Sequence, residues 1–245
     1  IIYTMYNFKN HNIVVTGGTR GIGKSISLKM ANLGASVLIT GTKKDYETEH
    51  KSISYQKVDF NVKEDLCAFL KTLHTNKFDV CVNNAAINIK QPINILDDES
   101  WDRVINTNLS SAFKIIKYVS NNMIKNKYGK IINISSLWGI FSAPERAAYS
   151  CSKHALNGLT KTAASELSRH NVLVNSVSPG FVLTSMSKDS LSEEKINKIK
   201  TQIPLGRLAV PDEIAELVCF LSSRKNTYIS GQNIIIDGGF SGCRI

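Results

Sequence analysis

The chain has 245 residues, 42% of them hydrophobic and 20% charged, with a formal net charge of +10. That length and balance exclude a disordered chain and fit one large α/β domain with a sizeable core, spanning residues 1–245. No apolar run approaches the roughly 20 residues of a membrane-crossing helix, and the basic residues are scattered rather than run together, so neither a membrane nor nucleic acid is expected as a partner.

The stretch 1–12 is polar and aromatic and has no secretory apolar core. Met5 is expected to be the natural start, so residues 1–4 are left out of the fold reading. Short apolar runs then alternate with longer amphipathic ones. Strands are expected at 12–16, 36–40, 53–58, 79–82, 130–135, 173–177 and 233–236. Several are solid Val/Ile/Leu runs, as strands buried on both faces read. Helices are expected at 22–33, 64–74, 99–125, 147–169 and 211–221, the last opening with the good first turn Pro211-Asp212-Glu213. Strand and helix alternating throughout predict a doubly wound, Rossmann-like parallel sheet of about seven strands, with helices on both faces in three layers. The polar segment 185–202 breaks the rhythm and is expected as a substrate-loop insertion. The five cysteines, Cys67, Cys81, Cys151, Cys219 and Cys243, form no C-x-x-C and lie near no histidine at zinc-ligand spacing. They read as thiols of a reducing cytosol, so no metal and a cytoplasmic location are expected.

The first strand runs straight into Gly17-Gly18-Thr19-Arg20-Gly21-Ile22-Gly23. Glycines there let the backbone approach a phosphate, and the following helix offers free N–H groups and the positive end of its dipole. Two motifs overlap in this loop. Gly17, Gly21 and Gly23 form a variant of the dinucleotide fingerprint, while Gly18 to Ser25 formally match a nucleotide-triphosphate loop. The second needs a magnesium-binding Asp at the end of a nearby strand, and only Ile234-Ile235-Ile236-Asp237 resembles one. Lys24 is therefore read as a solvated helix residue.

Tyr149 and Lys153 lie four apart on an expected helix, so they share one face. A tyrosine loses its proton near pH 10, and a neighbouring ammonium is expected to lower that value so that the phenol exchanges protons with a carbonyl. With 8 tyrosines and 23 lysines, about one such pair arises by chance, so context must carry it. Ser136 supplies that context. It follows the apolar run Ile131-Ile132-Asn133-Ile134, at the strand end where ligands sit in open parallel sheets, although a serine there also suits a turn cap.

Together these residues resemble the short-chain dehydrogenase/reductase family, from about Asn12 to Phe240. Asn83-Asn84-Ala85-Ala86 resembles the family's Asn-Asn-Ala-Gly motif, with Ala86 in place of the usual glycine. Asn108 falls where the catalytic asparagine sits, Ser136 precedes Tyr149 by thirteen residues, and Pro179-Gly180 matches the segment framing the nicotinamide. The resemblance implies that Tyr149 donates and accepts the proton. Lys153 assists it and holds the nicotinamide ribose, Ser136 orients the carbonyl, and Asn108 supports a water-linked relay. It further implies that Asp59 and Phe60 flank the adenine, that Asn83 and Ala85 lie along the adenosine, and that Val182 and Thr184 contact the nicotinamide and phosphates. A homotetramer built on the helices at 99–125 and 147–169 is also implied.

An NAD enzyme of this fold places an acid at the end of the second strand. Here Gly41 stands at that point, followed by Thr42 and Lys43, and Arg20 sits in the glycine loop. A guanidinium and an ammonium suit a 2′-phosphate, so NADP(H) is the expected cofactor. Within the family the chain is most similar to the 3-oxoacyl-[acyl-carrier-protein] reductases of fatty acid synthesis. Lys127 and Arg169 fall near the positions that dock an acidic acyl carrier protein. Trp138 and Ala143-Pro144-Glu145-Arg146 are less typical and would suit a sugar, polyol or other small alcohol. A non-catalytic NADP-binding regulator is the third reading, and the complete Asn–Ser–Tyr–Lys set argues against it.

Overall fold

The computed structural model describes residues 6–184 and 192–243. Seven strands form one parallel sheet: β1 (Asn12–Val15), β2 (Ser36–Gly41), β3 (Ile53–Lys57), β4 (Val80–Asn83), β5 (Gly129–Ile134), β6 (Val172–Pro179) and β7 (Asn233–Ile236). Their spatial order is β3-β2-β1-β4-β5-β6-β7. Successive residues of a strand point to opposite faces. Ile13, Val15, Val82 and Ile132 therefore feed one core, and Val14, Cys81, Ile131 and Val174 feed the other. A one-residue slip of β5 would exchange Ile131 with Ile132 between the two cores, which is why its register against β4 and β6 is well specified.

Helices cover both faces. α1 (Gly21–Asn32) and α7 (Pro211–Ser222) bury Ile26, Met30, Ile214 and Val218 against the first face. α2 (Lys63–Thr75), α4 (Ser111–Asn126) and α5 (Ala147–Leu167) bury Phe69, Ile115, Met123 and Leu167 against the second. Each such side chain contributes about 1.5–3 kcal/mol by leaving water. Two more helices are α3 (Asp98–Ile105) and α6 (Glu193–Lys200).

The expected strands are all present, with ends moved by at most two residues. Two helical expectations need correction. The single helix at 99–125 is divided: α3 and α4 are joined by a π-helical turn over Asn106–Ser110. The extra residue in that turn comes where Asn108 must aim inward, and such bulges recur at functional sites. The segment 185–202 is not purely a loop, because α6 begins at Glu193 with Ser192 Oγ accepting from Lys195 N–H. Residues 185–191 lie outside the described ones.

The sheet order reverses between β1 and β4, which are neighbours although β2 and β3 intervene in the chain. Chains leave these two strands in opposite directions, so a crevice opens at their carboxyl ends.

Candidate active site

The crevice is a cleft of about 670 Å³, large enough for a cofactor-sized molecule. Its floor is the glycine loop. Gly17 adopts φ +64°, and a Cβ there would lie 2.9 Å from Ala85 Cα. A Cβ on Gly23 would lie 2.3 Å from the Gly17 carbonyl oxygen. Only glycine lets the loop fold this tightly onto the sheet and turn its N–H groups outward. Asn84 locks the arrangement, its Nδ2 donating to the Thr16 and Gly17 carbonyls at 2.9 and 3.0 Å. Thr16 Oγ1 accepts from the Asn84 and Ala85 N–H groups, both at 3.0 Å. Ala86 needs no left-handed backbone, so alanine is accommodated where a glycine was expected.

Gly17, Thr19, Arg20, Gly21, Ile22 and Gly23 all line the cleft, as do Thr42, Lys43, Asp59, Phe60, Ala85, Pro179, Gly180, Val182 and Thr184. Asn83 does not. It is buried, and its Nδ2 donates to Asn133 Oδ1 at 2.8 Å. Asn133 Nδ2 in turn donates to Thr160 Oγ1 at 2.8 Å. Its side chain thus ties β4 to β5 and α5, and Asn84 holds the loop.

At the end of β2, a Cβ on Gly41 would meet Thr19 Cγ2 at 2.7 Å. The position where an acid would hold a ribose diol thus has no space for a side chain, while Arg20 and Lys43 stand exposed on the wall. The nucleotide-triphosphate reading also fails structurally. Lys24 pairs with Glu49, and Ser25 Oγ donates to Asp212 at 2.7 Å, both outside the loop's concave side.

The other end of the cleft carries Ser136, Tyr149 and Lys153. Ser136 follows β5, and its Oγ accepts from Trp138 N–H at 3.2 Å, so the cap role and a place on the wall coexist. Lys153 is 2% exposed. Its Nζ donates to the Ile134 carbonyl at 2.7 Å and lies 5.6 Å from the centroid of the Tyr149 ring. Burial disfavours both charged forms. It pushes the Tyr149 phenol up, against a Ser136 hydrogen bond and the Arg146 charge that pull it down. Burial pushes Lys153 down to about 7. Lys153 stands beside the ring of a phenol whose net shift burial sets upward. Its ammonium is held against the Ile134 carbonyl, and burial lowers its pKa.

Asn108 is also off the cleft wall. It lies behind the wall, where its Oδ1 accepts from Ile87 N–H at 2.9 Å. Its Nδ2 donates to the Ile87 carbonyl at 2.9 Å and to Ser152 Oγ at 3.1 Å. It clamps both backbone groups of one wall residue and links them to α5. Sequence reading missed Asn84, Arg103, Thr107 and Asn88 on the wall. Only Asn84 carried a signal, as a member of the quoted motif. Lys127 and Arg169 precede β5 and β6, whereas the cleft lies beyond the far ends of these strands, about 20 Å away.

Among the described residues, no helix is long and apolar enough to cross a membrane, and no His/Cys/Asp/Glu cluster could hold a metal ion. All five cysteines are free.

Comparison with known proteins agrees with this geometry. A family model described as enoyl-(acyl carrier protein) reductase matches residues 17–241. The chain is 38% identical, over 92% of its length and 96% of the relative's, to 3-oxoacyl-[acyl-carrier-protein] reductase FabG of Staphylococcus aureus. It is 36% identical, over 95% and 98%, to the protein of that name in Chlamydia trachomatis. A solved structure named as an NAD(P)-dependent gluconate 5-dehydrogenase from Beutenbergia cavernae, with bound NADP, superposes with a TM-score of 0.89 at 28% identity, over 97% of this chain and 99% of that one. The chain is an oxidoreductase and belongs to the short-chain dehydrogenase/reductase family.

Proposed function

We propose that the chain reduces a 3-oxoacyl thioester, borne by an acyl carrier protein, to the 3-hydroxyacyl thioester with NADPH. The observation that carries this reading is the shape of one cleft. A glycine-built floor runs from Arg20 and Lys43 to a phenol and a hydroxyl at the end of β5. The close packing of Gly17 and Gly23 fits a diphosphate, and Gly41, with no space for an acid, fits a 2′-phosphorylated adenosine. The names of the curated relatives favour a carrier-bound substrate.

When bound, the reduced nicotinamide supplies a hydride to the carbonyl carbon. Ser136 and Tyr149 hold the carbonyl oxygen between two hydroxyls. Tyr149, a phenol protonated at neutral pH, enters as an acid and donates its proton to that oxygen as charge builds there. Lys153, held by Ile134 with its Nζ beside the Tyr149 ring, is the group placed to assist the phenol's proton exchange. Asn108 keeps the Ile87 segment of the wall in place from behind. The balance is one hydride to carbon and one proton to oxygen, leaving a hydroxyl and NADP⁺.

A homotetramer and a cytoplasmic setting belong to this reading. Lys127 and Arg169, at the opposite ends of β5 and β6 from their own cleft, would serve a carrier docked at a neighbouring copy.

A second reading, a reductase of a sugar or other small alcohol, is favoured by Trp138 and Arg146 beside Tyr149. A panel of carbonyl substrates with NADPH and with NADH separates the two. Turnover of an acetoacetyl thioester, with NADPH strongly preferred, supports the first. Turnover of keto sugars only, or equal use of both nucleotides, contradicts it.

A further inference from the structure

Arg146 plays no part in the mechanism above, yet it stands beside it. It precedes α5 directly and lies three residues before Tyr149, one helical turn away. Its guanidinium carbon sits 5.7 Å from the centroid of the Trp138 ring. Trp138 stands edge-on to Phe141 and Phe181, at 5.3 and 6.4 Å. Phe240 closes against Phe141 and Phe181 at 6.1 and 5.2 Å. These half-buried rings come from three separate segments: the loop after Ser136, the turn after Gly180, and the carboxyl-terminal stretch. Trp138 lies two residues beyond Ser136, and Phe181 lies next to Gly180, both of which line the reacting end of the cleft.

Within this aromatic wall Arg146 is only partly exposed, and burial lowers its pKa. Among the described residues no carboxylate forms an ion pair with it. A guanidinium has five N–H donors in a fixed fork and no acceptor. Drawing it from water without an oxygen partner is costly. Apolar walls with one convergent polar group are how small-molecule sites fix orientation.

We infer that Arg146 is a specificity-determining residue whose guanidinium takes a second carbonyl or carboxylate oxygen of the substrate, close to the reacting carbonyl, while Trp138, Phe141, Phe181 and Phe240 cover the rest of the molecule. The inference rests on the reading of the reacting end given above and narrows its substrate class. A 3-oxoacyl thioester offers its thioester oxygen, a 3-oxo acid offers a carboxylate, and a plain ketone offers neither.

The test measures kcat and KM with NADPH for acetoacetyl-N-acetylcysteamine, acetoacetate and butanone, in wild type, R146Q and R146K. For R146Q, the kcat/KM ratio of the acetoacetyl substrates over butanone is expected to fall about 10- to 100-fold, the range of a lost charge-assisted hydrogen bond, mainly through KM. R146K keeps the charge without the fork and is expected to fall between; it also keeps the test readable if R146Q folds poorly. A larger effect on acetoacetate assigns the oxygen to a carboxylate, and a larger effect on the thioester assigns it to the thioester carbonyl. An unchanged ratio, with all three ketones affected alike or none affected, overturns the inference. If wild type reduces neither acetoacetyl compound, the 3-oxoacyl reading itself has failed. The role of Arg146 is then decided by the same ratio for a keto sugar acid over the matching neutral ketose.

Discussion

The two ends of the cleft are built by opposite means. At the β1–α1 end the work is done by what is missing: glycines at 17, 21 and 23 leave the backbone bare, and Gly41 leaves no space beside Thr19. At the β5–α5 end it is done by buried polar side chains, with Lys153 and Asn108 each 2% exposed and fully committed to backbone or side-chain partners. The first end is tight, and two exposed cations, Arg20 and Lys43, stand on its rim. The second end is desolvated, and its chemistry lies in groups whose charged forms burial disfavours. The comparison teaches that recognition of a phosphate needs close approach, whereas moving a proton needs a dry, pre-oriented donor.

Substitutions at the two ends should therefore fail in different ways. After loss of the Tyr149 phenol, the largest effect is expected for S136A, which removes one hydroxyl from the carbonyl oxygen. It should lower kcat on the order of 10²- to 10³-fold while leaving the affinity for NADPH intact, as read by steady-state rates beside a fluorescence titration. R20Q at the opposite end should behave conversely. The kcat/KM for NADPH should fall about 10- to 100-fold with NADH use unaltered, which a cofactor competition assay reads directly. If R20Q weakened both nucleotides equally, the rim cations would not be the selective element.

N108A sharpens the distinction between touching and positioning. It frees both backbone groups of Ile87, so a stability loss of about 1–3 kcal/mol is expected by denaturant unfolding, with a drop in kcat. An N108A enzyme with reduced kcat and unaltered stability would mean that the side chain acts on the substrate directly.

A further test is a pH dependence of stability. Lys153 has a folded-state pKa of about 7, below its unfolded value. The unfolded chain therefore holds more protons between roughly pH 7 and 10.5, and stability rises with pH across that window. This stabilisation is complete above the unfolded pKa and is lost as pH falls toward 7. The difference in unfolding free energy between wild type and K153M, without nucleotide, should grow in favour of wild type by about 1.4 kcal/mol per pH unit inside the window. A flat difference would mean that the lysine is not desolvated.

The same contrast explains what could be read in the sequence. The strands were legible because Ile131-Ile132 and Ile13-Val14-Val15 carry the solid apolar pattern of a doubly covered sheet. The glycine loop was legible because its meaning is local. The division at Asn106–Ser110 was not, since a π-helical turn has no periodicity of its own. α6 was passed over because its sequence, EEKINKIK, buries none of its residues. Asn83 and Asn84 are adjacent and chemically identical, so only the pleat of β4 decides which faces the cleft. Spacing puts a lysine near a phenol but says nothing of desolvation, which here raises the Tyr149 phenol against the Ser136 hydrogen bond and the Arg146 charge.

The central claim is that the Tyr149 phenol is the proton donor to the carbonyl. It is tested most directly by Y149F, which keeps the ring and removes the acid. Oxidation of NADPH by an acetoacetyl thioester is followed for wild type and variant under saturating cofactor. The account predicts a loss of at least about 10²- to 10⁴-fold in turnover with NADPH still bound at wild-type affinity. A Y149F enzyme turning over at a rate near wild type would contradict it.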